Sequence, residues 1–453
     1  MFNLTVDELN GKNVAVCGVG VSNLPLIDFL LDKGAKVFAR DKKTYEKMGN
    51  TATLLESKGV TLILGDDYLE NITEDIIFRS PGIRYDKPQF VAAVNNGAVL
   101  TSEMQLFFEL CPATIIGVTG SDGKTTTTTL ISKMLEAQFG SERVYVGGNI
   151  GRPLLPVVEK MSKEDFAVVE LSSFQLHTMT LSPHISVVTN ISPNHLDYHT
   201  DMNEYIDAKK NIFIHNNNRR LVLNSHNDIT DGFDRFAKKD AEIIKFMSEK
   251  GIYERDGAIY FGEEKILDIS DIFIPGHHNV ENYMAAIGAL HGIVSNDVIV
   301  NVAKTFGGVE HRIEFVRELR GVKYYNSSID SSPTRTIAAL NSFKQKLIVI
   351  SGGYDKHIPF EPLCEPMCRM VKKLILTGAT AGKIKSALIN SDEYKAMPFP
   401  IIEEPDFEKA VLKASSVAEN GDIVILSPAC ASFDAFPNFE VRGRRFKEIV
   451  KSI

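Results

Sequence analysis

Short β-branched runs that end in glycine or a polar turn, each followed by residues with helical spacing of apolar positions, recur along this chain. The first is Lys12-Asn-Val-Ala-Val-Cys-Gly18, with the apolar-periodic segment Leu24 to Leu31 behind it, so the pattern predicts a strand and then a helix. A second strand is predicted over Lys36 to Ala39, ending at Asp41, and another over Ile76 to Arg79, running into the turn Ser80-Pro81-Gly82. The alternation restarts at Thr114 to Val118, continues through Phe166 to Leu171 and Ile185 to Asn190, and closes with the helix-like Val280 to Ile293. Between them, residues 216–265 are polar and weakly patterned. From Lys323 onward four apolar runs, Lys323 to Tyr325, Leu347 to Ile350, Leu374 to Leu376 and Ile423 to Leu426, are separated by segments of helix length. The expected organisation is three α/β domains, over 1–102, 103–308 and 309–453, with hinges near residues 102 and 309.

Composition narrows the function classes. The chain has 453 residues, and 50 Lys plus Arg against 58 Asp plus Glu leave a formal net charge of -8, with no basic run suited to a polyanion. Nucleic acid is not an expected partner, and no obligatory protein partner is implied. The Met1 to Thr5 start lacks a charged region followed by an apolar one, and no apolar stretch is long enough to cross a bilayer, so no membrane insertion and a cytoplasmic location are expected. Five cysteines, Cys17, Cys111, Cys364, Cys368 and Cys430, lack paired metal-ligand spacing and read as reduced thiols.

Gly117-Val-Thr-Gly-Ser-Asp-Gly-Lys-Thr125 follows a strand and opens a Thr-rich helix, the context in which backbone N–H groups wrap a phosphate chain. Glycines let the chain approach closely, Lys124 neutralises phosphate charge and the Thr125 hydroxyl is a hard ligand for Mg²⁺. Five residues separate Gly117 from Gly123, one more than in the strict P-loop, so this is a variant loop. Glu170, at the end of a later strand, is by itself a rim charge; beside such a loop it is a candidate Mg²⁺ carboxylate. His195 and Asp197, in Thr189-Asn-Ile-Ser-Pro-Asn-His-Leu-Asp-Tyr-His199, read equally as a polar turn or as further ligands. Lys209 reads as a solvated lysine on a charged helix. Gly18-Val-Gly-Val-Ser-Asn23 keeps two glycines of the dinucleotide fingerprint and has Asn23 in place of the third.

Taken in order, Gly117 to Thr126, Val169-Glu-Leu-Ser-Ser-Phe-Gln-Leu176, Asn194-His-Leu-Asp197, Gly276-His-His-Asn-Val-Glu-Asn282, His311-Arg-Ile-Glu314 and Ser427-Pro-Ala-Cys-Ala-Ser-Phe-Asp434 resemble the Mur ligase family over nearly the whole chain. The Glu-Leu-Ser-Ser-Phe-Gln and Ser-Pro-Ala-Cys-Ala-Ser segments resemble its D-glutamate-adding branch. The resemblance implies a Rossmann-like N-terminal domain, a central P-loop ATPase-like domain and a Rossmann-like C-terminal domain. It implies ATP-dependent joining of D-glutamate to UDP-N-acetylmuramoyl-L-alanine through an acyl phosphate, in peptidoglycan precursor synthesis. It further implies that Gly117, Val118, Thr119, Gly120, Ser121, Asp122, Gly123, Lys124, Thr125 and Thr126 hold ATP with Asn279, Asn282 and Arg312. Thr125 and Glu170 would hold one Mg²⁺, and His195 and a CO₂-derived carbamate on Lys209 a second. Val21, Ser22, Asp41, Lys42, Ser80, Gly82, Asn149 and Gln175 would meet the UDP substrate, and Lys356, Ser432, Phe433 and Phe439 the D-glutamate.

One position departs from the family pattern. Where Asn-Asp-Ser is usual, the chain has Asn326-Ser-Ser-Ile-Asp330, and Asp330 is the candidate to replace the missing aspartate at the nucleotide. The alternatives are another Mur ligase, a folylpolyglutamate synthetase-like amide ligase, or a nucleotide-binding module without catalysis. The diamino-acid branch carries an arginine-bearing Asp-Asn-Pro-Arg motif that this chain lacks.

Overall fold

The computed structural model describes residues 6–20 and 22–453; Val21, expected at the UDP substrate, lies outside the described residues, as does the Met1 to Thr5 start. Among the described residues, twenty strands form three sheets. The first contains β1 (Asn13–Cys17), β2 (Lys36–Asp41), β3 (Thr61–Leu64), β4 (Ile76–Arg79) and β5 (Val99–Thr101). They run parallel in the order β3-β2-β1-β4-β5. All four residues of β4 are buried, as a strand covered on both faces requires.

The second sheet is built from β6 (Thr114–Thr119), β7 (Val144–Gly148), β8 (Phe166–Glu170), β9 (Ile185–Val188), β10 (Arg220–Asn224), β11 (Glu242–Phe246), β12 (Ile252–Arg255), β13 (Ala258–Phe261) and β14 (Glu264–Asp268). Its order is β14-β13-β12-β11-β10-β9-β6-β8-β7. It is parallel from β7 to β12, and β13 and β14 add an antiparallel meander. The weakly patterned 216–265 stretch therefore supplies five strands. All five are short, and β11 to β14 are also half-exposed, with Glu242 and Ile243 both facing solvent at the start of β11, so they escape a periodicity reading.

The third sheet joins β15 (Glu314–Leu319), β16 (Val322–Asn326), β17 (Leu347–Ser351), β18 (Val371–Leu376), β19 (Ile401–Glu403) and β20 (Ile423–Leu426) in the order β15-β16-β20-β17-β18-β19. Only its edge pair β15 and β16 is antiparallel.

Contacts divide the chain into two compact units. One takes the residues up to Ile269 with Glu281–Val302, and the other takes Ser270–Val280 with Ala303–Ile453. The first holds two sheets over one continuous apolar cluster, which includes Val14 and Leu30 from the first sheet's layers and Leu155, Val169 and Leu223 from the second's. The second unit has separate clusters on the two faces of its sheet, one around Val349 and Leu374, the other around Ile348 and Phe446. In the first two sheets the chain reverses its direction of winding at a central strand, β1 in one and β6 in the other, and in the third β20 returns to lie between β16 and β17. Loops at the carboxyl ends of such strands carry part of the expected site, such as Gly120 to Gly123 after β6, whereas Lys209, Asn279 and Asn282 lie on helices and Arg312 precedes β15.

Candidate active site

In the first unit the loop after β6 enters the helix Lys124–Phe139 through Gly123, whose φ of 78° suits glycine at this cap. Gly120 has φ 150°, and a Cβ on it would stand 1.9 Å from Thr189 Oγ1, so no larger residue fits. The loop is held from the β9 side. Ser121 N–H donates to Asn190 O at 2.9 Å, Asp122 N–H to Asn190 Oδ1 at 2.9 Å, and Thr189 Oγ1 donates to Asp122 O at 2.6 Å. Lys124 Nζ donates to Gly120 O and Ser121 O at 2.9 and 2.8 Å, folded over its own loop.

Thr125 Oγ1 donates to Glu170 Oε2 at 2.7 Å, and Asn149 Nδ2 to Glu170 Oε1 at 2.8 Å. A hydroxyl and a buried carboxylate thus meet at a helix N-terminus, a set of hard oxygen donors that fits Mg²⁺. Gly148 lets β7 come this close, since a Cβ there would lie 2.2 Å from Glu170 O.

Lys209 is not solvated. It lies in the last turn of the helix Met202–Lys210 and is 1% exposed, donating to Thr119 Oγ1 at 3.2 Å and Gly120 O at 2.8 Å, with Nζ 4.9 Å from the Tyr205 ring centre. Burial, reinforced by the Lys124 charge, pushes its pKa well below the usual lysine value and favours the neutral amine. His195 has φ 55° and is exposed, its ring edge-on to Phe174 at 4.8 Å. Desolvation and the Lys124 charge lower its pKa against the pull of Asp197, leaving a neutral imidazole able to ligate. Asn282 completes this group: Thr127 Oγ1 donates to its Oδ1 at 3.3 Å, and the same oxygen would stand 2.4 Å from a Cβ at Gly123.

At the first sheet, Gly18 approaches Ser80 so closely that a Cβ would lie 2.8 Å from the Ser80 Cβ, bringing the loops after β1 and β4 together. Asp41 is buried and serves these loops, accepting from Val19 N–H at 2.6 Å and Lys43 N–H at 2.8 Å, while Lys42 and Gly82 are exposed. Ser22 precedes the helix Asn23–Asp32 without capping it through its side chain. Gln175 closes a capping box with Ser172.

The Ser80-Pro81-Gly82 turn is also tied to the Lys209 helix. Tyr198 Oη donates to Pro81 O at 3.1 Å, and Arg84 donates to Tyr198 O at 2.6 Å and to the two oxygens of Glu204 at 3.1 and 2.9 Å. Arg84 thereby brings the Glu204 pKa down to about 2. His177 and His199 flank Glu204 with nitrogen and oxygen atoms within 4.8 Å, but the carboxylate is already engaged by Arg84. Burial pushes the His199 pKa down to about 4.

In the second unit, Arg312 sits between His311 at φ 65° and Ile313 at φ 45°, the latter a costly conformation for a β-branched residue. Asn279 Nδ2 donates to Pro275 O at 2.6 Å. Asp330, expected beside the nucleotide, is 5% exposed and its Oδ2 accepts from Ser427 Oγ at 2.8 Å. Lys356 is exposed on the loop after β17, Ser432 is buried after β20, and Phe433 is exposed with its ring 5.8 Å from that of Tyr354. The N–H of Tyr354 donates to Ala431 O at 2.9 Å, so the two loops are laced together. Phe439 begins the helix Phe439–Ser452, its ring edge-on to His311 at 5.9 Å.

Sequence reasoning missed Arg84, Tyr205 and Arg442. Their functional signal is a three-dimensional partner rather than a motif; only a charge embedded in an otherwise apolar helix face, as at Arg442, was there to be noticed.

A glycine loop at the switch point of a parallel sheet, with a lysine, a hydroxyl and a buried carboxylate around it, is the arrangement of a P-loop-type nucleotide-binding domain. The chain belongs to the Mur ligase family: residues 12–102 match its MurD-like N-terminal domain, 118–290 its middle domain and 311–430 its glutamate ligase domain. It is 52% identical to the UDP-N-acetylmuramoylalanine–D-glutamate ligase of Clostridium beijerinckii, covering 100% of this chain and 99% of that one. Identity to the enzyme of the same name from Clostridium novyi is 50%, with the same coverage. Two solved structures share the fold. UDP-N-acetylmuramate-alanine ligase from Thermotoga maritima has a TM-score of 0.57 at 16% identity, covering 97% of this chain and 99% of that one. UDP-N-acetylmuramoyl-L-alanyl-D-glutamate–2,6-diaminopimelate ligase has a TM-score of 0.58 at 17% identity, covering 98% and 93%.

Proposed function

We propose that this chain joins D-glutamate to UDP-N-acetylmuramoyl-L-alanine using ATP, as a ligase of peptidoglycan precursor synthesis. Full-length identity to ligases of that name carries the reading, and the Lys124, Thr125 and Glu170 arrangement gives it a chemical basis. The γ-phosphoryl group of ATP passes to the alanyl carboxylate, giving an acyl phosphate and ADP; the amine of D-glutamate then displaces phosphate and forms the amide. The loop N–H groups of Gly117 to Thr126 bind the phosphate chain, and Lys124 leaves its own carbonyls to meet the transferring group. Asn279, Asn282 and Arg312 orient the nucleotide. Ser22, Asp41, Lys42, Ser80, Gly82, Asn149 and Gln175 form the UDP-substrate side, Asp41 and Gln175 by shaping loops.

The enzyme depends on Mg²⁺, which when bound supplies charge neutralisation at the β- and γ-phosphates; Thr125 and Glu170 would hold it. We place a second ion at His195 and Lys209. A neutral, buried Lys209 amine can attack CO₂, forming a C–N bond and releasing a proton to water, and the resulting carbamate offers hard oxygens where an ammonium would repel a cation. Lys356, Ser432, Phe433 and Phe439 receive D-glutamate, a dicarboxylate that needs a cation and a hydroxyl. The division into substrate, ATP and amino-acid domains follows the boundaries near 102 and 308. No helix among the described residues is long and apolar enough to cross a membrane, and we place the reaction in the cytoplasm.

The test is phosphate release from ATP and Mg²⁺ with UDP-N-acetylmuramoyl-L-alanine, with and without D-glutamate, and with L-glutamate and L-lysine as controls. Release that requires both the UDP substrate and D-glutamate is expected. A response to another amino acid alone moves the chain to a sister activity, and no response to any leaves a nucleotide-binding module.

A further inference from the structure

Two charged side chains buried in the second unit have no part in the mechanism above and no solvent to face. Asp330 follows β16 and Arg442 lies in the first turn of the Phe439–Ser452 helix; they are 5% and 2% exposed. Asp330 Oδ2 accepts from Ser427 Oγ, whose hydroxyl also lies 2.9 Å from Thr336 Oγ1. The guanidinium of Arg442 donates to Cys430 O at 3.0 Å and Ala431 O at 3.0 Å, and to Ser328 O and Ser328 Oγ at 2.9 and 3.0 Å. Ser328 Oγ in turn donates to Phe439 O at 2.8 Å.

These bonds grip one segment at its two ends. Between the ends Ala429 has φ 58°, a conformation an alanine adopts only when its surroundings impose it. The same segment is laced to the loop that carries Lys356: Ser351 Oγ donates to Ser427 O at 2.6 Å, Gly352 N–H to Pro428 O at 2.8 Å, and Tyr354 N–H to Ala431 O at 2.9 Å. Gly353 makes room, since a Cβ there would lie 2.3 Å from Ala431 O. A buried charge is a poor way to stabilise a core, because well-packed apolar residues of similar volume do as well or better. What it supplies is direction: a planar guanidinium with donors at set angles fixes four backbone or hydroxyl groups at once.

We propose that Asp330 and Arg442 are positioning residues for the amino-acid subsite, clamping Ser427–Ala431 at its two ends and so setting where Ser432 is presented relative to Lys356. This rests on the reading of Lys356 and Ser432 as D-glutamate ligands. It also gives Asp330 a role different from the nucleotide contact that its place in the sequence suggested. Burial pushes the Asp330 carboxyl up to about 7, against the hydrogen bonds from Ser327 and Ser427, which favour the ionised form.

The experiment is steady-state kinetics of the full-length enzyme, varying each substrate in turn, for Arg442→Lys, Arg442→Met, Ser328→Ala and Asp330→Ala. Losing one charge-assisted hydrogen bond should raise KM for D-glutamate roughly tenfold, with KM for ATP and for the UDP substrate held within about twofold. Arg442→Lys should retain more D-glutamate affinity than Arg442→Met. Ser328→Ala removes one acceptor of Arg442 together with the hydroxyl's own bond to Phe439 O, and carries the same expectation where an Arg442 variant fails to fold. A rise in KM for ATP with KM for D-glutamate unchanged overturns the proposal, as does a uniform fall in all parameters that tracks the folded fraction. Lys356→Ala is run alongside. If it leaves KM for D-glutamate unchanged, the subsite reading itself fails; if it raises that KM while the Arg442, Ser328 and Asp330 variants do not, the clamp alone fails.

Discussion

Lys209 shows how far a residue's chemistry departs from its sequence neighbourhood. Among Asp207, Lys210 and other polar residues it reads as a surface lysine, yet the structure buries it against Thr119 and Gly120. Because its folded pKa lies below the ordinary 10.5, the unfolded chain binds the extra proton, and the residue costs stability at neutral pH. Lys209→Met should therefore abolish phosphate release and yet stabilise the fold by on the order of 1–3 kcal/mol. The gap between variant and wild type should widen as pH falls below 10.5 and level off below the folded value; thermal melts across that range check it, and a destabilised variant at pH 7 would contradict it. His199 has the same sign in a lower window. With its pKa brought from 6.5 to about 4, stability should drop by roughly 3 kcal/mol as pH falls through that interval. His199→Gln should flatten the fall, as measured by urea titration at pH 4 and 7.

At the scale of elements, the phosphate loop was legible because strand, glycines, lysine and helix stand consecutively, so one local pattern encodes one local structure. The steric reason behind each glycine was not. Gly120 faces Thr189 and Gly148 faces Glu170, residues 69 and 22 positions away. Gly120→Ala should cost at least about 2 kcal/mol through its backbone conformation alone and lower ATP affinity correspondingly; calorimetric titration with ATP checks it. Strands β10 to β14 were hidden for a related reason, since a sheet can be completed by short strands whose neighbours, not their own periodicity, specify them. Glu170 was expected at Mg²⁺ and Asn149 at the UDP substrate, and the hydrogen bond that makes them one group depends on β7 and β8 pairing in register.

On the scale of the whole molecule, the three-part α/β organisation was readable, whereas the joining of the first two sheets over one apolar cluster was not, because Leu155 and Leu30 give no sign in sequence of sharing a core. Two units with separate cores should unfold in two calorimetric transitions rather than one, and coincident melting by every probe would argue against that. The tie from the Ser80-Pro81-Gly82 turn through Tyr198 and Arg84 to Glu204 crosses from one sheet's loops to the helix that carries Lys209. Its consequence is evolutionary. A lineage that loses Arg84 leaves Glu204 beside two imidazoles that are kept neutral, whereas one that loses Glu204 leaves Arg84 its pair with Asp86. Glu204 is therefore expected to be inherited only where Arg84 is, while Arg84 can outlast it.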